Sequence, residues 1–180
     1  MKATGIVRRI DDLGRVVIPK EIRRVLRIRD GDPLEIYTAG DGEVIFKKYS
    51  PIGELSPTAV QYAEAMIKHT SSPVIVCDRD HCVAAAGISR REVLERRVSA
   101  ALEEYIESRA SYIYGVDDGE PPMALEGFDR PASVIVPILS AGDITGAVVM
   151  LLSDDRSLPT ETDIKLSKVA AAFLGKQMEE

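Results

Sequence analysis

The spacing of apolar positions changes near residue 50 and divides the chain into two segments. In the first segment, short β-branched and apolar runs alternate with charged residues and turn signals, a pattern typical of short strands and one amphipathic helix. The predicted strands cover 5–10, 16–18, 34–38 and 43–48, and the predicted helix covers 20–26. Pro19 fits the first position of that helix, and Ile22, Val25 and Leu26 form its apolar face.

The second segment has longer apolar elements in the order helix, strand, strand, helix, strand, loop, strand, strand, helix. This order predicts an antiparallel sheet with helices at both ends of the segment. Thr160 is predicted to cap the last helix together with Asp163, three residues further on. The stretch Val116–Pro131 is too long for a simple connection, so we expect a binding loop for a small-molecule ligand or a partner there.

Two prolines and a glycine between Tyr49 and Pro57 mark the boundary between the segments. We therefore assign residues 1–53 and 54–180 to separate domains. Fifty residues are close to the lower limit for a domain that folds alone, and the first segment has no cysteine to form a disulfide. Dimerisation through strand exchange is the expected remedy.

Charge is distributed unevenly along the 180 residues, whose formal net charge is −6. Residues 1–29 carry nine basic and three acidic side chains, which gives +6, whereas residues 51–180 carry −9. A basic head on an acidic body indicates two modules with different partners. The overall negative charge therefore does not exclude a nucleic-acid partner.

No apolar stretch is long enough to cross a bilayer, and the N-terminus lacks the apolar run of a signal peptide. The 2 cysteines, Cys77 and Cys82, are too few for a disulfide framework. We accordingly expect a cytoplasmic protein without a membrane partner.

The head resembles the AbrB-type family of bacterial transition-state regulators over residues 1 to about 50. The resemblance rests on residues 4–24, which include the run Asp12-Leu13-Gly14-Arg15-Val16-Val17-Ile18-Pro19, and continues through residues 32–37. It implies a swapped-hairpin β-barrel built by two chains. It also implies that double-stranded DNA is contacted by arginines at matching positions, namely Arg8, Arg15, Arg23 and Arg24, to which we add Lys2 and Arg9.

Side-chain chemistry agrees with that implication, because the arginine fork matches phosphate oxygens and guanine edges. One chain offers few such groups, and a dimer doubles them. The alternative is that these arginines form a solvated surface, which is the usual meaning of a run of charges.

The body resembles a GAF-type sensor domain through its element order and through residues 132–138 and 146–149. Together the two modules resemble a family of sporulation regulators that act on genes of the developing forespore. The resemblance implies an α+β chain, a dimeric swapped-hairpin β-barrel followed by a GAF-like antiparallel-sheet domain. It also implies a homotetramer in which the GAF-like domains join two barrels.

Little in the body suggests catalysis. Cys77, His81 and Cys82 lie within six residues, but a structural zinc needs four ligands and His69 is the only other histidine. We therefore expect neither a metal, nor a cofactor, nor an enzyme. Two alternatives to a DNA-binding regulator stay open: an antitoxin, since antitoxins share the swapped-hairpin fold, and a GAF-like redox enzyme that uses the cysteines.

Overall fold

Two units make up the structure, a computed structural model that describes residues 4–70 and 72–179. One unit ends at Tyr49 and the other begins at Ser50. Both helices and strands occur in each unit, so the α+β class is confirmed. Among the described residues, no helix combines the length and the apolarity that crossing a membrane requires.

The N-terminal unit contains one short helix and one hairpin: α1 (Lys20–Val25), β1 (Leu34–Thr38) and β2 (Val44–Lys48). The two strands pair antiparallel, with Leu34 opposite Lys48 and Thr38 opposite Val44. Gly42 has a φ of +84° in the connecting turn, a backbone conformation that favours glycine. Pro19 is the one buried residue that the structure describes between residues 4 and 49.

The strands predicted at 5–10 and 16–18 are not paired within this chain. We define residues 4–19 as the N-terminal arm. A strand requires a neighbouring backbone for its hydrogen bonds. Among the described residues the arm has only the backbone hydrogen bonds of its own turn and the one that the Arg23 N–H donates to the Pro19 carbonyl. A single chain therefore forms no closed barrel over residues 4–49.

The C-terminal unit contains an antiparallel sheet with helices on both faces, the GAF-like arrangement expected from the sequence. Its helices are α2 (Pro51–Glu54), α3 (Ser56–Met66), α4 (Arg90–Val93), α5 (Ala100–Ser108) and α6 (Glu161–Gln177). Its strands are β3 (Val74–Asp78), β4 (Cys82–Ala86), β5 (Tyr112–Ile113), β6 (Ala132–Ser140) and β7 (Asp143–Leu151), in the spatial order β4-β3-β7-β6-β5.

Side chains alternate between the two faces along each strand, and each face of this sheet has its own hydrophobic core. Val74 and Val76 of β3 pack with residues of α2, α3 and α6. Ile75 and Cys77 pack with residues of α4, α5 and the segment around Leu125. Side chains of an extended strand point alternately to opposite faces. The sheet is thus covered on both sides.

Two local features fix this arrangement. The predicted cap of α6 is confirmed: the Asp163 N–H donates to Thr160 Oγ1 at 3.2 Å, and the Thr160 N–H donates to Asp163 Oδ2 at 2.8 Å. Gly146 on β7 lies so close to β3 that an added Cβ would overlap the carbonyl oxygen of Cys77. Only glycine fits at that point of the sheet.

Candidate nucleic-acid interface

A tight turn joins the two extended segments of the N-terminal arm. The backbone N–H of Asp11 donates to the Arg15 carbonyl at 3.1 Å, and Asp11 Oδ1 accepts the N–H groups of Leu13 at 3.1 Å and Arg15 at 2.8 Å. Gly14 has a φ of +77° and donates its N–H to the Asp11 carbonyl at 3.0 Å. The turn therefore holds Arg15 at the tip of the arm.

Arg15 is anchored at one nitrogen and open at the others. Its Nε donates to Asp11 Oδ2 at 2.8 Å, while the side chain remains 70% exposed. The Arg15 backbone N–H, followed by the guanidinium, holds the pKa of Asp11 below its ordinary value. Within the described residues the terminal amino groups of Arg15 make no hydrogen bond, so they are available to a phosphate or a base edge.

Arg23 and Arg24 are consecutive residues of α1. Arg23 Nη1 forms an ion pair with Asp30 Oδ1 at 2.5 Å, and the Asp30 side chain is 96% exposed. Arg24 is exposed and forms no ion pair within the part of the chain that the structure describes. A phosphate would have to displace Asp30 to bind Arg23, whereas Arg24 is open.

The remaining predicted contacts lie in the arm. Arg8 and Arg9 are exposed and form no ion pair with any described residue, and Lys2 lies outside the described residues. The structure adds one cation that was not among the predicted contacts: Lys20, exposed at the first position of α1. Its place on the charged side of the predicted helix is the signal that could have identified it.

Large apolar side chains are exposed throughout the same unit. They include Val7 at 88%, Val17 at 71% and Val25 at 74% of their full exposure. Others in the unit are Ile6, Ile10, Leu13, Val16, Leu26, Ile36, Val44 and Phe46. An exposed apolar surface of this density marks a site of protein association. The arginines therefore belong to a unit that is incomplete as a single chain.

The loop predicted to bind a ligand, Val116–Pro131, is partly built into the second core. Leu125 is buried, and the N–H of Glu126 donates to the Arg97 carbonyl at 2.9 Å. Beside it lies an open groove of about 480 Å³. The groove is lined by Ser99, Met123, Leu125, Glu126, Gly127, Phe128 and Asp129.

The two cysteines lie in the core of the C-terminal unit. Cys77 and Cys82 are buried free thiols, and no group of three or more metal-ligating side chains exists among the described residues. A hydrogen bond to the Cys82 thiol, followed by burial, raises the pKa of Cys77 well above its ordinary value. A thiol held in its protonated form is a weak nucleophile at neutral pH.

Each segment of the chain matches a family model. The family model "Stage V sporulation protein T C-terminal, transcription factor" matches residues 54–179, and the model "Antidote-toxin recognition MazE, bacterial antitoxin" matches residues 7–53. Stage V sporulation protein T of Bacillus subtilis (strain 168) is 48% identical over 182 aligned residues, which cover 100% of both chains.

Two further similarities concern the N-terminal segment. Transition state regulatory protein AbrB of the same organism is 61% identical over 51 residues, which are 28% of this chain and 52% of that protein. The solution structure of the N-terminal DNA recognition domain of AbrB is 59% identical, with a TM-score of 0.24, and the match covers 28% of this chain and 94% of that domain.

Proposed function

The chain belongs to the family of stage V sporulation protein T, and on that premise we propose that it regulates transcription of sporulation genes by binding double-stranded DNA. One observation carries the DNA-binding part of this function. The segment that is 61% identical to AbrB presents exposed arginines from its arm, its turn and its helix. Arginine is the side chain best suited to phosphate and guanine recognition.

The DNA contacts are Arg8, Arg15, Arg23 and Arg24, with Lys2 and Arg9 as further contributors. Arg15 is oriented in advance, because Asp11 binds its Nε and leaves the two terminal amino groups for DNA. Arg23 exchanges the Asp30 carboxylate for a phosphate, which replaces one charge-assisted bond by another. Arg8 and Arg24 give up no ion pair within the described residues.

The DNA-binding form is a homodimer through residues 1–53, in which hairpins are swapped between chains. The unpaired arm supports this assembly, because it offers open strand edges to a second copy. The exposed apolar side chains support it as well, since closing a barrel would bury them. Residues 54–180 then form the GAF-like regulatory domain.

The C-terminal domain joins two such dimers into a homotetramer. On α6, Val169 is 55% exposed and Phe173 is 40% exposed, and the Phe173 ring stacks on Tyr62 of α3 with 5.3 Å between ring centroids. This aromatic pair on two neighbouring helices is a candidate face for a second copy. Light scattering should give four chains for the parent and two for Phe173→Asp or Val169→Asp.

A salt series on DNA binding tests the proposed contacts. Binding of the full chain to a promoter fragment should weaken steeply with salt, because phosphate contacts dominate the affinity. Alanine at Arg8, Arg15, Arg23 or Arg24 removes two contacts per dimer and should make the log–log salt slope shallower by about 2 where both touched phosphate. If an arginine reads guanine, the loss is about 1–3 kcal/mol and base preference relaxes.

The control variant is Arg91→Ala, which removes an exposed arginine from the C-terminal unit. It should leave both the affinity and the slope unchanged. Circular dichroism must show that every variant is folded. The proposal fails if all four arginine variants are folded and bind like the parent.

A second candidate function, an antitoxin, has one observation in its favour, the match of residues 7–53 to the MazE model. That match covers the N-terminal module alone. The following residues form a unit with a core on each face of its sheet rather than a short tail. We therefore place transcription regulation first. An antitoxin would have to inhibit a toxin by binding it directly. DNA binding needs no such toxin contact from either module.

The remaining assignments are that the protein is cytoplasmic, is not an enzyme and binds a small molecule near the groove lined by Ser99, Met123 and Phe128. The raised pKa of Cys77 supports the second assignment, since a redox enzyme needs a reactive thiolate. A thermal-shift screen of metabolites against the full chain tests the third. A Met123→Asp variant should abolish any shift that arises in this groove.

A further inference from the structure

Two cysteines face each other across the β3–β4 hairpin of the C-terminal unit. Cys77 is paired with Cys82 in the strand register, and both side chains are fully buried. A bulge interrupts the pairing at this point, between Val76 and Cys77. Because of the bulge, Cys82 joins the same core as Cys77, whereas Ala84, two residues further along β4, lies in the core on the opposite face.

The backbone geometry suits a bond between these residues. The Cys82 N–H donates to the Arg96 carbonyl and the Cys82 carbonyl accepts the Glu95 N–H, both at 2.9 Å, so both backbone groups point away from β3. Cys77 and Cys82 are thus a non-hydrogen-bonded pair, for which the Cα atoms are about 4.5 Å apart. That separation lies within the range of about 4.4–6.8 Å that a disulfide spans.

The two thiols lie in the same core. The Cys82 thiol donates to the Ala84 carbonyl at 3.4 Å, and its proximity raises the pKa of Cys77. Each sulfur therefore lies where it could attack the other once one of them is activated. A second chain is not required.

We propose that Cys77 and Cys82 are an oxidation site, at which a small organic disulfide such as oxidised glutathione converts the two thiols into an intramolecular disulfide. The Cys82 thiolate attacks one sulfur of the reagent, breaks its S–S bond and releases one glutathione. Cys77 then loses its proton to solvent and attacks the Cys82 sulfur of the mixed disulfide, so that the second glutathione leaves as a thiolate and takes up a proton. Two protein thiols are oxidised, and one disulfide is reduced to two thiols.

A strap, residues 94–97, controls access to Cys82. It forms the two backbone hydrogen bonds to Cys82, and it contains Glu95 in a left-handed conformation with a φ of 61°, which is costly for a residue with a side chain. Arg96 fastens the strap to the loop beside it by donating to the carbonyls of Gly127 at 2.9 Å and Glu126 at 3.3 Å. Opening this edge of the sheet exposes Cys82 before Cys77.

Tryptic mapping of the full chain tests the proposal. The folded protein is incubated with oxidised glutathione, quenched in acid, alkylated under denaturing conditions and digested. Trypsin cleaves after Arg79, between the two cysteines, so the disulfide would link peptides 69–79 and 80–90. We expect that linked pair as the main product, a loss of about 2 Da from the intact chain, and a rate that rises with pH because the thiolate attacks.

Two variants make the test specific. Cys82→Ala should stop at one glutathione on Cys77 or remain unmodified, with no loss of 2 Da. Arg96→Ala should speed disulfide formation about 5- to 30-fold, as expected for the loss of the hydrogen bonds that hold the strap. The control Arg91→Ala, at an exposed position of α4, should oxidise like the parent.

The proposal is overturned if both thiols of the folded parent stay free while the same chain oxidises in urea. A product with only single glutathione adducts, or only disulfides between chains, would overturn it as well. Equal oxidation rates for Arg96→Ala and the parent, with both proteins folded by circular dichroism, would refute the strap as the cover of Cys82.

Discussion

The two units of this chain differ in how much of their apolar surface they bury. In the C-terminal unit, both faces of the sheet are covered by helices or by the loop around Leu125, and the core side chains are inaccessible to water. In the N-terminal unit, Pro19 is the one buried residue among 4–49. Thirteen large apolar side chains are exposed there among the described residues, against six in the C-terminal unit.

The same exposed fraction therefore has different meanings in the two units. A few exposed apolar residues on a complete domain need no explanation. A unit of about fifty residues that exposes most of its large apolar side chains has not gained the burial that must offset its conformational entropy. The N-terminal unit therefore lacks a core of its own, whereas the C-terminal unit builds its core within one chain.

The largest effect should come from adding a charge to matched valines of the two units. Val17 is 71% exposed and Val116 is 73% exposed in the single chain. If a second copy buries Val17, Val17→Asp places a carboxylate in an apolar interface and should unfold the N-terminal unit and abolish DNA binding. Val116→Asp should change stability by no more than about 0.5 kcal/mol. Thermal unfolding by circular dichroism and a DNA-binding assay measure both.

Equal behaviour of the two valine variants would contradict this difference between the units. A Val17→Asp protein that is dimeric, folded and active would show that the arm is a free surface. Unfolding of the C-terminal unit by Val116→Asp would show instead that the exposed loop is part of that unit's stability.

Glycines give the next largest contrast. Gly146→Ala forces a Cβ into the backbone of β3, at Cys77 and Asp78, and should cost about 1–3 kcal/mol of unfolding free energy in the C-terminal unit. The matched variant Gly40→Ala meets nothing within 4 Å and should be close to neutral. Urea unfolding of the full chain, followed separately for the two transitions, measures both. Destabilisation by Gly40→Ala would indicate that a partner chain passes close to the hairpin.

Helix caps give a smaller contrast. Thr160 and Asp163 form a reciprocal cap on α6, whereas α1 follows Pro19 and has no side-chain cap. Thr160→Ala should therefore lower the stability of the C-terminal unit by about 1 kcal/mol. Thr162→Ala, at an exposed position of the same helical turn, is the control and should have little effect. Equal losses for the two variants would mean that the cap does not matter.

How far the sequence predicts the structure also differs between the units. The order of the longer elements, the antiparallel sheet and the cap at Thr160 were predictable, because apolar periodicity and capping residues act within one chain. The β-bulge beside Cys77 was not, since a bulge depends on pairing with a neighbouring strand. In the N-terminal unit, 5–10 and 16–18 have strand-like sequences, but a strand needs a partner that the described chain does not contain.

The candidate site shows the same division. The arginines were predicted from a motif, and the structure shows that Arg8, Arg15 and Arg24 are exposed whereas Arg23 is half-buried. Their carboxylate partners, Asp11 and Asp30, were not predicted. The role of Asp11 could have been inferred from the turn that contains Leu13 and Gly14. An Asp side chain at the start of such a turn commonly accepts backbone N–H groups. Asp30 could not, since its pairing with Arg23 depends on how the chain turns after α1.

The smallest predicted effect concerns two carboxyl groups, one in each unit, whose pKa values are lowered by different causes. Asp11 in the N-terminal unit and Asp155 in the C-terminal unit both have a pKa lowered from the ordinary 3.8. The shift of Asp11 depends first on the Arg15 backbone N–H and then on the Arg15 guanidinium. That of Asp155 depends on the hydroxyl of Ser153 and on Ser157. Because folding lowers the pKa, each carboxylate stabilises the folded chain above its unfolded pKa, and this contribution is lost as the pH falls through the folded pKa.

Arg15→Ala should therefore raise the pKa of Asp11 only part of the way to 3.8, because the alanine keeps the backbone N–H that is the larger cause. The pKa of Asp155 should not move. Carboxyl chemical shifts in an NMR titration of the full chain measure both groups in one sample. An unchanged Asp11 would mean that Arg15 does not hold this carboxylate in solution, and the advance orientation of Arg15 toward DNA would have to be abandoned. Equal shifts of both groups would indicate a change in the whole chain rather than in the turn.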